Sequence, residues 1–176
     1  MTTQSLYGTS NTEGIDVSTV LTVNATASPE YPAAPFITGT ECLGSNNSRW
    51  VYVTAAGAIT LGDVVCVTKT YTANSLTSTI AATSLGLPLG VASLAAFTTG
   101  QYGWVQTQGA SPAISLLAGV APNVQLYSSA TAGRVGATSA TGTTYAVNGI
   151  VATTTSASTA GTYAGILTNP VVGVVS

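Results

Sequence analysis

Charge is scarce in this 176-residue chain: only 5% of the residues are charged, and the formal net charge at pH 7 is −2. Ordinary soluble domains carry about 25% charged residues. Disordered chains combine high net charge with few apolar residues, whereas 45% of this chain is hydrophobic. The composition therefore predicts a folded protein, one domain or one domain with an arm, whose surface consists mainly of hydroxyl and amide groups.

Basic residues are the scarcest charged class. Arg49, Lys69 and Arg134 are the three basic residues, and they are scattered along the chain. Proteins that bind nucleic acid neutralise phosphates with clustered Lys and Arg. The sequence therefore predicts no nucleic-acid partner.

Histidine is absent, which removes the imidazole general base, histidine-based catalytic triads and histidine metal ligands. The carboxylates that remain for acid–base chemistry are Glu13, Asp16, Glu30, Glu41 and Asp63. Four of them precede residue 49, in the predicted arm. A glycosidase active site needs two carboxylates that converge across one cleft, and carboxylates in an arm are poorly placed to form one. We expect no catalytic residues and no enzymatic activity.

Metal and cofactor sites also lack their usual residues. Glu13 and Asp16 offer two acidic ligands at most for calcium, and two cysteines are too few for a structural zinc site. Lys69 has no glycine-rich phosphate loop before it. We expect no metal site and no cofactor.

Long apolar runs are missing, because Thr, Ser, Asn, Gln or Gly interrupts every apolar stretch. A transmembrane helix needs about 18 or more apolar residues, so no membrane partner is expected. The first five residues, MTTQS, lack the basic and apolar regions of a secretory signal. This favours synthesis in the cytoplasm.

Two cysteines, Cys42 and Cys66, could form a disulfide. Cys66 lies in the apolar run 64–67 (VVCV), where a free cysteine behaves as a small core hydrophobe. A reducing compartment also favours thiols. Two free thiols are therefore the preferred prediction.

What the chain does contain is a strong β signal. Thr, Val, Ile and Tyr are abundant, and Gly or Ser recurs every several residues. We predict an all-β domain over residues 49–176, a compact antiparallel β-barrel or β-sandwich. Its predicted strands are 49–54, 63–70, 89–95, 101–108, 113–117, 123–128, 147–155 and 162–168.

Residues 1–48 have a different character and are predicted to form an extended N-terminal arm. One strand is plausible at 15–23, followed by Pro29, Pro32 and Pro35. Prolines at this spacing favour polyproline-like extension. The segment is either a surface loop or an arm that lies along a neighbouring subunit.

The sequence shows weak internal similarity when it is compared with itself at an offset of about sixty residues. Segment 62–67 (GDVVCV) resembles 122–127 (PNVQLY), 89–92 (LGVA) resembles 148–151 (NGIV), and 100–105 (GQYGWV) resembles 161–166 (GTYAGI). The pattern indicates a duplication over about 59–110 and 119–170. Chance similarity in a Thr-, Gly- and Ala-rich chain is the alternative.

Two aromatic pairs are spaced for one face of a strand: Trp50 with Tyr52, and Tyr102 with Trp104. Each pair could be core or an interface anchor. Core is the preferred interpretation.

Three segments resemble capsid decoration (cement) proteins of tailed bacteriophages. They are 49–65 (RWVYVTAAGAITLGDVV), 100–109 (GQYGWVQTQG) and 126–133 (LYSSATAG), and the resemblance covers roughly residues 43–172. It implies a compact β domain, often trimeric, seated on the outside of an icosahedral head. The implied partners are the major capsid protein and further copies of this chain as a homotrimer. The implied location is the virion exterior after synthesis in the host cytoplasm.

Low net charge is compatible with this role, because it lowers the barrier to dense packing. The alternative function is a head-fibre or tail-associated host-recognition module that binds carbohydrate through exposed Tyr and Trp. A receptor-binding module should bind glycans as an isolated protein, whereas a cement protein should need the capsid lattice.

Overall fold

The sheet contains nearly all of the regular structure. The computed structural model describes residues 15–22, 36–139 and 143–175. Its strands are β1 Leu21–Thr22, β2 Glu41–Leu43, β3 Arg49–Ala55, β4 Val64–Val67, β5 Thr72–Ser75, β6 Leu89–Val91, β7 Gln101–Leu116, β8 Leu126–Ser128, β9 Val135–Gly136, β10 Tyr145–Ala152 and β11 Gly161–Val175. A short helix, α1, covers Ser78–Ala82, and a 3-10 turn covers Ser45–Asn47. The all-β prediction is confirmed.

Five strands close into a first barrel, in the order β3, β5, β4, β6, β7 and back to β3. Closure gives each of these strands two partners, which protects edges that could otherwise pair with other chains. Of the two predicted architectures, the barrel is therefore the one that forms.

The second half of β7 enters a second closed ring, in the order β7, β9, β8, β10, β11 and back to β7. We call this ring the second barrel. The sequence predicted antiparallel pairing, and most strand pairs are antiparallel, but two are parallel. Ala55 of β3 pairs with Ala73 of β5 in a parallel ladder, and Leu116 of β7 pairs with Val135 of β9 in parallel.

Strand β7 is the element that the two barrels share. The sequence predicts two strands here, 101–108 and 113–117, but the structure has one strand, Gln101–Leu116. The strand continues through the predicted gap at 109–112, where Gly109 adopts a left-handed φ of 95°. In addition, the buried Gln106 amide donates to the carbonyls of Gln108 (3.0 Å) and Ala110 (2.9 Å). This side chain holds the irregular segment within the strand.

The two barrels repeat one strand order. In the first barrel β4 pairs with β5 and β6, and β6 pairs with β7; in the second barrel β8 pairs with β9 and β10, and β10 pairs with β11. One hydrogen bond also recurs. The Gly62 N–H donates to the Ala92 carbonyl in the first barrel, and the Asn123 N–H donates to the Ala152 carbonyl in the second. Gly62 and Asn123 both have left-handed φ, 87° and 60°. The predicted duplication over about 59–110 and 119–170 stays a prediction about origin.

Alternation along β3 separates two clusters. Val51 and Val53 belong to an apolar cluster with residues of β4, β5 and β7, whereas Trp50 and Tyr52 belong to an aromatic cluster. A third and larger cluster contains Ile114 and most of the second barrel's apolar side chains. Successive strand residues point to opposite faces, so the first barrel buries both sides of β3.

Part of the predicted arm lies against the β domain. Strand β1 pairs with β7, and β2 pairs with β3, so the predicted boundary at residue 48 falls between two paired strands. Of the predicted strand 15–23, only Leu21–Thr22 is a strand, and residue 23 lies outside the described residues. Pro29, Pro32 and Pro35 also lie outside them. The division at residue 48 stays a prediction.

The short helix begins with a side-chain cap, because the Thr77 hydroxyl accepts a 3.1 Å hydrogen bond from the Ile80 N–H. Within the described parts of the chain, no helix is long and apolar enough to cross a bilayer.

Candidate functional site

A cavity of about 290 Å³ opens at one end of the first barrel. Its floor is apolar and is formed by Val51 of β3, Val67 of β4 and Leu89 of β6, all of which are buried. These residues lie at or near the ends of their strands, so the cavity occupies the mouth of the barrel. Barrel mouths are a common position for small-molecule sites.

The second barrel supplies one wall of this cavity. Val171 of β11 forms a bridge with Pro88, and both residues line the cavity together with Pro170 and Asn169. The pairing of β11 with β10 is irregular here, and Asn169 has a left-handed φ of 51°. Bulges commonly re-aim a side chain near a site. This irregularity places the Asn169 side chain at the cavity.

Tyr71 forms part of the cavity rim from the turn between β4 and β5. Its N–H donates to the Thr68 carbonyl (2.9 Å), and its φ is 57°. A left-handed φ is uncommon for a bulky residue, and such strain is enriched at functional sites. The ring packs so closely on Gly39 that a Cβ there would overlap it. The backbone therefore holds a 41%-exposed aromatic ring in a fixed place.

Four polar side chains face this apolar mouth: Glu41, Tyr71, Thr107 and Asn169. A Glu41 carboxylate oxygen lies 3.9 Å from an Arg49 guanidinium nitrogen, and the Thr107 hydroxyl donates weakly to the Arg49 carbonyl at 3.4 Å. Within the described residues, the Asn169 amide and the Tyr71 hydroxyl make no hydrogen bond. Their hydrogen-bonding capacity is available to a ligand.

The candidate carboxylates of the sequence are dispersed in the structure. Asp16 accepts hydrogen bonds from the Ser18 N–H (2.9 Å) and hydroxyl (2.6 Å), which lower the pKa of its carboxyl. Glu41 lies at the cavity, and Asp63 lies in a buried turn. Glu13 and Glu30 lie outside the described residues. The described carboxylates therefore do not converge on one cleft.

Asp63 has a structural position. Its carboxylate accepts from the Thr60 N–H (2.9 Å), the Thr60 hydroxyl (2.7 Å) and the Ser75 hydroxyl (3.1 Å). The backbone of Gly133, with φ 70°, packs directly on it. The turn before β4 is thereby joined to β5 and to the segment that precedes β9.

The two aromatic pairs form one cluster, as the preferred core interpretation predicts. Trp50, Tyr52 and Trp104 are buried, and the Tyr52 ring stacks at 6.1 Å from that of Tyr102. Phe36 packs edge-on to Tyr52 at 5.4 Å. Residues from the predicted arm therefore cover this face of the first barrel.

Tyr52 carries a buried hydroxyl that has no hydrogen-bond partner among the described residues. Burial, with a smaller contribution from the neighbouring Tyr102, raises the pKa of Tyr52 to about 12. Trp50 differs, because its indole N–H donates to the Ser48 hydroxyl at 3.1 Å.

Both cysteines are free and buried, in different clusters. Burial raises the pKa of the Cys42 thiol to about 11. Burial also raises the pKa of Cys66, partly offset by a hydrogen bond with Ser84. In the ranges that the structure describes, no three Cys, Asp or Glu side chains gather into a group that could hold a metal.

Sequence reasoning did not identify the cavity. Glu41 was considered only as an acid, and neither Tyr71 nor Asn169 was singled out. An Asn-Pro dipeptide at 169–170 does signal a break in a strand, and this signal could have marked the bulge.

No protein-family model matches the chain, and no curated protein matches it either.

Proposed function

We propose that this chain is a capsid decoration protein of a tailed bacteriophage, which binds the outside of the icosahedral head and stabilises it by bridging capsomers. The three resembling segments, 49–65, 100–109 and 126–133, support this proposal. In the fold they correspond to β3 with its following turn and the start of β4, the first half of β7, and β8 with its following turn. The resemblance thus involves the framework of both barrels.

The observation that carries the proposal is the small number of free charges on the described surface. Asp63 is buried, and Glu41 and Arg49 face each other at 3.9 Å. Lys69 and Arg134 are the other cations of the β domain. Such a surface offers little electrostatic repulsion to neighbouring copies at high density. Contacts with a lattice would rest on packing and hydroxyl hydrogen bonds.

Exposed apolar side chains give this surface the means for packing contacts. Ile37 is 84% exposed and Val174 is 74% exposed, and the two residues lie far apart in sequence. Scattered apolar residues are normal on any surface. On a chain with so few charges, however, they are suited to several weak contacts that act together.

The proposed assembly is a homotrimer that contacts the major capsid protein. The expectation that residues 1–48 reach across subunit boundaries does not extend to Leu21–Thr22 and Glu41–Leu43, because these strands pair with β7 and β3 of the same chain. Linked contacts reinforce one another, since the effective concentration of the second contact can raise overall affinity by about 10² to 10⁴. Reinforcement of this kind opposes the internal pressure of a packaged genome without any chemical reaction.

The test uses expanded heads assembled without this protein. Purified full-length chain is added, and binding is measured by co-sedimentation and head stability by thermal rupture. We expect saturable binding and a higher rupture temperature. Heads that neither bind the chain nor gain resistance contradict the proposal. Binding to unexpanded proheads alone also contradicts it.

A further inference from the structure

We propose that the mouth of the first barrel is a binding site for a neutral saccharide, with the ring of Tyr71 as its stacking platform. This proposal does not rest on capsid binding. It rests on the size and lining of the cavity, on two left-handed backbone positions at its rim and on the polar groups that face it. A chain seated on the outside of a head can also present a sugar site outward, so sugar binding alone does not decide between decoration and host recognition; head binding decides that.

The cavity has the chemical character of a sugar site. A pyranose presents C–H groups on its faces and hydroxyls around its edge, so its site needs an apolar surface beside polar groups. Here Val67, Leu89 and Pro170 supply apolar surface, and the Tyr71 ring lies at the rim. The volume of about 290 Å³ lies just below the usual range for small-ligand pockets, about 300 to 1,000 Å³, so the site would hold a single sugar ring at most.

The polar groups match sugar hydroxyls in hydrogen-bonding capacity. The Glu41 carboxylate only accepts, whereas the Asn169 amide and the Thr107 hydroxyl can donate and accept. Glu41 is 64% exposed in its side chain and 3.9 Å from Arg49, so its charge is only partly offset. A carboxylate at the rim disfavours an anionic sugar, and we therefore expect the ligand to be neutral.

Backbone strain at the rim provides the independent observation. Tyr71 and Asn169 both have left-handed φ, 57° and 51°, and both line this cavity. The other left-handed residues described, glycines apart, are Asn46, Asn47 and Asn123. Asparagine tolerates this conformation, whereas a bulky residue such as tyrosine rarely adopts it. Gly or Asn would form this turn with less backbone strain. We therefore infer that the Tyr71 ring has a function that offsets the strain.

The experiment is an NMR titration of the ¹⁵N-labelled full-length chain. The probes are glucose, galactose, mannose and N-acetylglucosamine, with glucuronic acid as the anionic comparison. We expect saturable shifts of the amides of Glu41, Tyr71, Thr107, Asn169 and Val171 for at least one neutral sugar. The expected Kd is in the range of about 1 mM, which is typical of weak small-ligand binding. Glucuronic acid should bind at least about tenfold more weakly than the neutral sugar that binds.

Substitutions separate ligand binding from folding. Tyr71→Asn removes the ring and suits the left-handed backbone, so the fold should persist while the affinity falls at least about tenfold. Tyr71→Phe keeps the ring and should retain most of the affinity. Asn169→Gly removes the amide and keeps the backbone freedom. Its matched control is Asn123→Gly, which makes the same exchange at a left-handed residue that does not line the cavity.

Three outcomes overturn the proposal. They are the absence of shifts with every neutral sugar, shifts that occur away from the cavity, and affinity that persists unchanged in both Tyr71→Asn and Asn169→Gly. Should Tyr71→Asn fail to fold, Asn169→Gly alone decides: its affinity should fall at least about tenfold while that of Asn123→Gly stays unchanged, and unchanged affinity in Asn169→Gly then overturns the proposal. Because the titration needs no capsid, its failure is distinct from a failure of head binding.

Discussion

The Ser93 hydroxyl donates a 2.8 Å hydrogen bond to the side-chain carbonyl of Gln106, and both side chains are buried. The Gln106 amide donates at the same time to two carbonyls of its own strand. This network lies where β7 leaves the first barrel and enters the second. Its polar atoms are paired, as burial requires.

Gln106→Met should therefore destabilise the protein by about 2–3 kcal/mol, because it keeps the volume but leaves buried polar atoms without partners. Ser93→Ala breaks only one hydrogen bond and should cost about 1 kcal/mol. Urea unfolding measures both values. Equal costs for the two variants, or no cost for Gln106→Met, contradict this role of the network.

Gly133→Ala should be more harmful than Gly119→Ala. Both glycines are left-handed, with φ 70° and 75°, so each alanine has a similar backbone cost of about 1–2 kcal/mol. A Cβ at Gly133 would also collide with Asp63, whereas nothing lies within 4 Å of one at Gly119. We expect an additional loss of about 1–3 kcal/mol for Gly133→Ala. Equal free energies of unfolding for Gly133→Ala and Gly119→Ala would contradict this prediction, because they would show that the Asp63 side chain can move away from an added Cβ.

Tyr52→Phe should leave the stability unchanged or raise it by up to about 1 kcal/mol, since it removes a buried hydroxyl that has no partner among the described residues. Trp50→Phe is the contrast, because it loses both packing volume and the hydrogen bond to Ser48. It should lower the stability. A clear loss of stability in Tyr52→Phe would reveal a hydroxyl partner in another part of the chain.

Alkaline pH should weaken the fold. Burial raises the pKa of Cys42 from 9.0 to about 11 and that of Tyr52 from 10.0 to about 12. Above about pH 9 the unfolded chain releases protons that the folded chain retains, so the free energy of unfolding falls until the pH exceeds the folded-state pKa values. Below about pH 8 both states keep these groups protonated, so they contribute almost no pH dependence there.

Cys42→Ala isolates the thiol in this titration. The substitution leaves a small cavity that costs stability at every pH. The slope between about pH 9 and about pH 11 is therefore the quantity to compare, and it should be shallower in the variant. A free energy of unfolding that stays flat or rises over this interval in the parent chain contradicts the assignment.

The sequence predicted strands that are rich in apolar residues, such as β3 and β4, and missed strands that are not. Strand β3 was predicted within one residue, because its alternating apolar residues fill two clusters. Strand β5, TANS, has no apolar pattern and forms because β3 and β4 flank it. Strand β9 spans two residues and is likewise defined by its neighbours. Pairing partners distant in sequence determine such segments, and local periodicity does not reveal them.

The cavity was beyond sequence reasoning for a related reason. Its floor comes from three strands, and its walls come from the turn at Tyr71 and the bulge at Asn169. Apart from the Asn-Pro dipeptide at 169–170, the local sequence of these residues gives no sign of a site. Only closure of the first barrel and the bridge between Pro88 and Val171 bring them together.

The central claim, that this chain decorates a phage head, is tested most directly by an electron cryomicroscopy reconstruction of the virions that contain it. We predict density for the paired five-stranded barrels on the outer surface of the head, where capsomers meet, with threefold contacts between copies. Density for this fold on the tail, or heads that lack it in particles shown to contain the chain, would contradict the claim.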